Sequence, residues 1–392
     1  MRDAVIAGAV RTPVGRRGGG LSGVHPVDLS AAVLDALATR TGIDPGVVED
    51  VVWGCVTQTG EQASNVGRLS ALAAGWPETV PGTTVDRACG SSQQALHFAA
   101  AAVIAGQADV VVAGGVESMS RVPMGSTRRN GPGRPYGPRL RARYPDVLGA
   151  EGEFQQGIAA EILADRWGLS RQQLDEYALA SHQRATAARA AGAFADEIAP
   201  VTVPTPEGPV VVDRDEGVRP DTSAEALARL RPVFREDGRI TAGNSSQISD
   251  GAAALLITTS ERAKALGLRP LARFHAFAAV GVDPVSMLSG PIPATAAVLR
   301  RAGLTLTDIG AFEINEAFAS VPLGWLAETG ADPKLTNPLG GAIALGHPLG
   351  ASGARLMTTL VHHMRANGIR WGLQSMCEGG GMANATVVEA LA

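Results

Sequence analysis

Residues 83–115, TTVDRACGSSQQALHFAAAAVIAGQADVVVAGG, decide how the chain is read. Cys89-Gly90-Ser91-Ser92 is a small-residue turn. The run QQALHFAAAAVIAG reads as a helix that stops at glycine, and DVVVAGG reads as a short buried strand ending at Gly114-Gly115. The same order returns in residues 346–381, GHPLGASGARLMTTLVHHMRANGIRWGLQSMCEGGG. Identity between the two is low, so the likeness is one of shape. It predicts a duplicated half, with two helix starts and two glycine turns brought to one central site.

Outward from this segment, strand and helix alternate. AVIAGAV (4–10) reads as a buried strand, PVDLSAAVLDALATRTG as a helix ending at Gly42, and VEDVVWGCV as another strand. Beyond Asp250 the alternation resumes in GAAALLITTSERAKALG, PLARFHAFAAVG and IPATAAVLRRAGLTLTDIGAFEINEAF. Such alternation predicts a sheet covered by helices on both faces. The middle differs. Residues 118–145 hold seven arginines (121, 128, 129, 134, 139, 141, 143) and no acid, with dense Gly and Pro, which predicts a long irregular loop. FQQGIAAEILADRWG predicts a helix with Ile158, Ile162 and Leu163 on one face. The next helix opens on Ser170 and Gln173 at capping-box spacing and stops at Gly192. The region reads as an inserted lid that faces the substrate.

Bulk properties exclude several classes. The 392 residues are 45% hydrophobic, enough for two or three packed units. A net charge of −4 and an aromatic content of 4% leave no basic surface or stacking platform for nucleic acid. Cys55, Cys89 and Cys377 show neither C-x-x-C nor metal-ligand spacing, so no disulfide framework and no metal are expected, and a reducing cytoplasm is. No charge-free apolar run reaches the length of a membrane span, and MRDAVIAGAVRTP reads as a strand rather than a signal peptide. No dinucleotide fingerprint or P-loop is present.

Four positions carry chemistry, each with a plainer alternative. At a helix start, the Cys89 thiol meets unpaired N–H groups and the positive dipole end, which favours thiolate and lowers the pKa. A buried small filler is the equal alternative. His347, between glycine turns and before Pro348, is a rigidly held imidazole or a structural histidine. The other histidines (25, 97, 182, 275, 362, 363) read as ordinary. Cys377, before three glycines, is a second acid/base beside an oxyanion-binding turn, or a packed strand cysteine. Asn315 and Glu316 orient water or cap the next helix.

Several blocks in one order resemble the thiolase family, the acyl-CoA:acetyl-CoA C-acyltransferases, over the whole length. They are RTPVGRRGGGLSG, DRACGSSQQAL, VVVAGGVESMSRVPM, RLRPVF, TAGNSSQISDGAAALL, GPIPAT, EINEAFAS, GGAIALGHPLGASGAR and CEGGGMANA. The resemblance implies an α/β thiolase fold, two pseudo-duplicated αβαβα halves with a lid or loop insertion. The N-terminal half would span 1–118 plus about 250–268, the CoA-binding loop domain 119–249, and the C-terminal half 269–392.

It also implies roles. Cys89 matches the acyl-accepting nucleophile, His347 the group that helps deprotonate it, and Cys377 the shuttle for the substrate α-proton. Asn315 matches the holder of a water that, with His347, stabilises the thioester enolate. A second oxyanion hole would use the N–H groups of Cys89 and Gly379. Arg219 matches an adenine-contacting arginine and Ser246 a pantetheine-contacting serine; Gln156, Met287 and Phe318 are expected beside the substrate. Ala226 replaces another CoA-contacting serine, and the arginine-rich loop resembles a tetramer-forming loop.

The implied activity is thiolysis of a 3-oxoacyl-CoA by CoA through an acyl-cysteine, as in fatty acid β-oxidation, with the reverse Claisen condensation available. CoA and acyl-CoA would be substrates, with no cofactor, in a cytoplasmic homodimer or homotetramer. Gln155-Gln156 stands where short-chain enzymes commonly have His-Met, Glu378 where an apolar residue is usual, and Pro338-Leu339 where Val-Asn is common. GCVTQTGEQASNVGR and SSQISDGAAA look similar to degraders of longer or bulkier chains, including actinobacterial steroid-side-chain enzymes. A degradative enzyme is therefore favoured over an acetyl-CoA C-acetyltransferase that makes acetoacetyl-CoA. A catalytically silent acyl-CoA- or lipid-binding relative is the alternative of another class.

Overall fold

Short β-branched and small-residue runs supply the strands of a computed structural model that describes residues 2–129, 133, 135–148 and 152–391. Arg134, one of the seven arginines, lies outside the described residues. The strands are β1 (Val5–Arg11), β2 (Gly15–Arg16), β3 (Asp50–Gly54), β4 (Gly82–Val85), β5 (Val110–Ser118), β6 (Val201–Val203), β7 (Val210–Val212), β8 (Ser249–Thr258), β9 (Ala272–Gly281), β10 (Ala311–Ile314), β11 (Trp371–Glu378) and β12 (Met382–Ala390). Among the described residues, ten of them form one sheet in the order β10-β11-β12-β9-β1-β8-β5-β3-β4, with β2 on β8. β6 and β7 form a separate hairpin.

The sheet repeats one plan. β4, β3 and β5 run parallel, then β5-β8-β1 antiparallel. In the second half β10 is parallel to β11, and β11-β12-β9 run antiparallel. A single parallel bridge, Phe312 to Thr336, stands where β4 stands in the first half. Within the sheet the halves pair at Val5–Arg273 and Ile6–Ala272.

Strand alternation sorts side chains into layers. Val110, Val112 and Val116 pack with the outer helices Pro26–Thr41 and Val66–Ala73, while Val111 and Ala113 pack with Ser91–Ala105 and Ser352–Ala366. In the other half Phe312, Leu373 and Ala385 pack with Pro291–Ala302 and Ser320–Thr329. The five αβαβα layers thus belong to both halves jointly, with Ser91–Ala105 and Ser352–Ala366 as the shared central layer. These two helices meet at small residues. A Cβ on Gly353 would lie 2.3 Å from the Gln93 nitrogen, and Ala354 N–H donates to Ser92 Oγ at 2.9 Å. That contact brings both helix starts together.

Local signals explain the helix ends. Pro26–Thr41 stops at Gly42, whose φ of 71° favours glycine. The Ser170–Gln173 capping box forms on both sides. Two expectations need correction. Residues 118–145 are not an irregular loop throughout: Ser126–Arg129 and Pro138–Arg143 are helical, the second started by proline. Its charge is also partly paired from outside, Arg121 with Glu61 and Arg128 with Glu153. In Gln156–Arg166, Leu163 is buried but Ile158 and Ile162 are only half-buried. The buried face is made of Gly157, Ala160 and Ala164 instead, because the Phe234 ring presses on Gly157, where a Cβ would lie 2.2 Å from it.

Candidate active site

Cys89 sits in a pinned turn. Ala88 has φ 46°, left-handed for a residue with a Cβ, a strain of about 1 kcal/mol or more. Asp86 Oδ1 accepts from Ala88 N–H at 2.8 Å. Ser91 Oγ accepts from Arg87 N–H at 3.0 Å and donates to the Ala88 carbonyl at 2.6 Å. Both serines after Cys89 are therefore used by the scaffold, Ser92 by the helix contact above.

The thiol is not pre-ionised. Cys89 is 3% exposed, and burial, with the nearby Glu378 charge, pushes it up to about 12; a hydrogen bond with the Gln156 side chain opposes this. The expected lowering at a helix start is overturned because Cys89 precedes the cap residue Gly90 and is desolvated.

His347 is held in one tautomer. Ser352 Oγ–H donates to the Pro348 carbonyl at 2.8 Å, so at 2.6 Å it accepts from His347 Nδ1–H. Nε2 is left as the unprotonated nitrogen, and Asn315 Nδ2 donates to it at 3.4 Å. Burial, aided by the Arg355 charge, pushes His347 down to about 3, so the imidazole is neutral. Asn315 Oδ1 is buried with no hydrogen-bond partner among the described residues. Its orphaned acceptor and the neighbouring Nε2 suit a bound water or a polar substrate atom.

The glycine turn around His347 is locked from two sides. Gly346 has φ 103°, and a Cβ there would lie 2.5 Å from Ser249 Oγ, which accepts from His347 N–H at 3.1 Å. Glu117 Oε2 accepts from both Gly350 N–H and Val56 N–H at 2.9 Å. Glu117 thus ties the His347 turn to the loop after β3. It was not singled out from the sequence; an acid inside the apolar run VVVAGGVES was the available signal.

Cys377 is buried, and burial together with the Cys89 charge pushes its thiol up. Gly379 lies just past the last ladder pair, Glu378–Met382. Glu316, next to Asn315, accepts from Tyr177, Ser181, Asn337 and the Ile343 N–H. These contacts tie Glu316 to the segment leading to His347.

A cleft of about 1000 Å³ opens on this site. Cys89, Gln156, Met287, Phe318 and Gly379 line it, and Cys377 packs behind Met287 and Phe318. His347 and Asn315 are buried and do not line it. Its outer wall carries Tyr136, Tyr144 and Phe154, whose rings meet edge-on at 5.4–5.7 Å between centroids. Arg219 is not brought to this cleft: it opens on a separate cavity of about 480 Å³ beside Arg16 and Arg17. Ser246 does not line the cleft either; its N–H donates to the Ala317 carbonyl at 2.9 Å, next to Phe318. Among the described residues, no group of three or more His, Cys, Asp or Glu is placed to hold a metal ion, and no helix is long and apolar enough to cross a membrane.

Comparison with known proteins gives the family. The family model for the thiolase N-terminal domain matches residues 4–261, and that for the thiolase C-terminal domain residues 268–390. The chain is 51% identical to the steroid 3-ketoacyl-CoA thiolase FadA6 of Mycobacterium tuberculosis, over 100% of this chain and 95% of the relative. It is 46% identical to a 3-ketoacyl-CoA thiolase of Erwinia tasmaniensis, over 99% of this chain and 100% of the relative. The crystal structure of the Bacillus anthracis acetyl-CoA acetyltransferase superposes with a TM-score of 0.92 at 39% identity, covering 100% of this chain and 99% of that one.

Proposed function

The chain belongs to the thiolase family, and from that premise we propose that it cleaves a 3-oxoacyl-CoA with CoA, carrying the acyl group on Cys89. The observations that support the assignment of roles are Cys89 in the wall of the cleft with Cys377 close enough to feel its charge, and a neutral, buried His347 joined to Asn315.

The steps follow from that set. His347 Nε2 takes the Cys89 proton as sulfur attacks the 3-oxo carbon. Because the resting thiol is raised and the imidazole depressed, the transfer accompanies attack rather than preceding it. The carbonyl oxygen gains charge at the N–H groups of Cys89 and Gly379. The bond between C2 and C3 then breaks. The acetyl-CoA enolate is held through Asn315 and His347, and Cys377 gives C2 its proton. The CoA thiol gives its proton to the Cys377 thiolate as it attacks acyl-Cys89; the shortened acyl-CoA leaves, and the Cys89 sulfur recovers its proton from His347. Run backwards, the same residues perform condensation. Each oxyanion donor contributes about 3 kcal/mol to such transition states.

Within this reading, residues 119–249 form the loop domain over the acyl end, and Arg219 and Ser246 meet CoA outside the reacting floor. A cytoplasmic homodimer or homotetramer is part of the same proposal. Gln156 at the nucleophile and the aromatic outer wall suit a tail larger than acetoacetyl. The expected result is that medium or bulky 3-oxoacyl-CoA substrates are cleaved at least as fast as acetoacetyl-CoA, measured as kcat/KM for CoA-dependent acetyl-CoA release. A clear preference for acetoacetyl-CoA would transfer the assignment to the biosynthetic enzyme.

A further inference from the structure

Glu378 takes no part in the steps above, yet it is the acid packed against the nucleophile turn. It ends β11, directly after Cys377, and is fully buried. Neither carboxyl oxygen has a hydrogen-bond partner among the described residues. Its carboxyl presses on Gly90, the residue after Cys89: a Cβ there would lie 2.0 Å from Glu378 Oε1. Asn384 of β12 reaches the same point and donates to the Gly90 carbonyl at 3.3 Å, leaving its own Oδ1 unpartnered. From the turn, Arg87 supplies a cation, but its Nε is unpartnered and its Nη1 points at Met382 Sδ, 3.8 Å away. The groups facing Glu378 are therefore Arg87 and Cys89 from the turn, Asn384 and Met382 from β12, and Cys377 from its own strand.

A buried carboxyl without donors is costly to ionise. Burial pushes Glu378 up to about 8, against the pull of Arg87. Its charge in turn opposes thiolate formation at Cys89 and Cys377. We propose that Glu378 is a protonation gate on the nucleophile: while its carboxyl is neutral Cys89 can lose a proton, and once it is charged Cys89 is held as the thiol. The proposal rests on Cys89 being the nucleophile. Glu378 acts through Cys89 and touches no substrate, so it is a positioning residue. It caps the usual alkaline gain of a cysteine enzyme. Reactivity should stop rising at the pH where Glu378 ionises, far below the titration of the thiol itself.

The test is the rate of iodoacetamide alkylation against pH, from about pH 6 to about pH 10, with the modified residue located by peptide mass spectrometry. Wild type, Glu378→Gln and Glu378→Leu are compared, so that one misfolded variant does not end the experiment. The expected wild-type rate climbs to about pH 8 and then levels, while both variants keep climbing and exceed it about tenfold at about pH 9. Labelling of Cys89 with one common profile in all three proteins would overturn the gate. Labelling of another cysteine with activity intact would overturn the nucleophile assignment instead.

Discussion

Replacing Cys89 with serine is expected to lower thiolysis at least about a thousandfold while leaving the fold intact. The substitution changes one buried atom and keeps the volume, so the melting temperature should barely move. The chemistry is lost because a serine hydroxyl is far less acidic than a thiol, and a neutral His347 already depressed to about 3 is a weak base. Neither neighbouring serine can substitute, since Ser91 Oγ is held by Arg87 and Ala88 and Ser92 Oγ by Ala354. The check is kcat/KM for a 3-oxoacyl-CoA beside a thermal melt. Activity within about tenfold of wild type would remove Cys89 from the reaction.

Gly115→Ala is expected to have the largest effect on stability. A Cβ at Gly115 would lie 2.2 Å from the Gly350 carbonyl oxygen and 2.6 Å from that of Gly54, both backbone atoms. No side chain can rotate away to relieve this, so β5 must separate from β3 or from the His347 turn. A loss of about 3 kcal/mol follows, the upper range for overpacking. Activity should fall too, because Gly350 is the residue that Glu117 clamps beside His347. The measurement is the denaturant midpoint and kcat of the purified variant. Wild-type values for both would contradict the close approach of β5 to the turn that carries His347 and Gly350.

These glycines show what was legible in the sequence. The order of small-residue turn, helix and strand announced the duplication, but the glycines were misplaced: Gly114-Gly115 lie inside β5, which continues to Ser118, whereas Gly379-Gly380-Gly381 follow the end of β11. Gly42 and the Ser170–Gln173 box fixed helix ends by local chemistry alone. What depended on distant parts of the chain was hidden. The fifth strand of the second half shrinks to one bridge at Thr336 and carries no β-rich run. The joining pairs Val5–Arg273 and Ile6–Ala272 are set by packing across the whole sheet. Helix-start reasoning gave the Cys89 thiol the wrong direction, since burial and Glu378 arrive from elsewhere in the fold. The same holds for Arg219, whose side chain sits with Arg16 and Arg17, some 200 positions away in sequence. Glu117 gave little sign of its importance because a lone acid in an apolar run has no periodic signature, whereas Glu378 stood out only as a departure from the apolar residue usual at that place.

The account rests on a division of labour between two cysteines, and one measurement addresses it directly. Cys377→Ala protein is mixed with acetyl-CoA, and the acyl group is located by peptide mass spectrometry while condensation is followed in parallel. The expected result is acetyl on Cys89 with the carbon–carbon step lost, because the nucleophile is intact and the proton shuttle is gone. Normal condensation by this variant, or acetyl on any residue other than Cys89, would contradict the account.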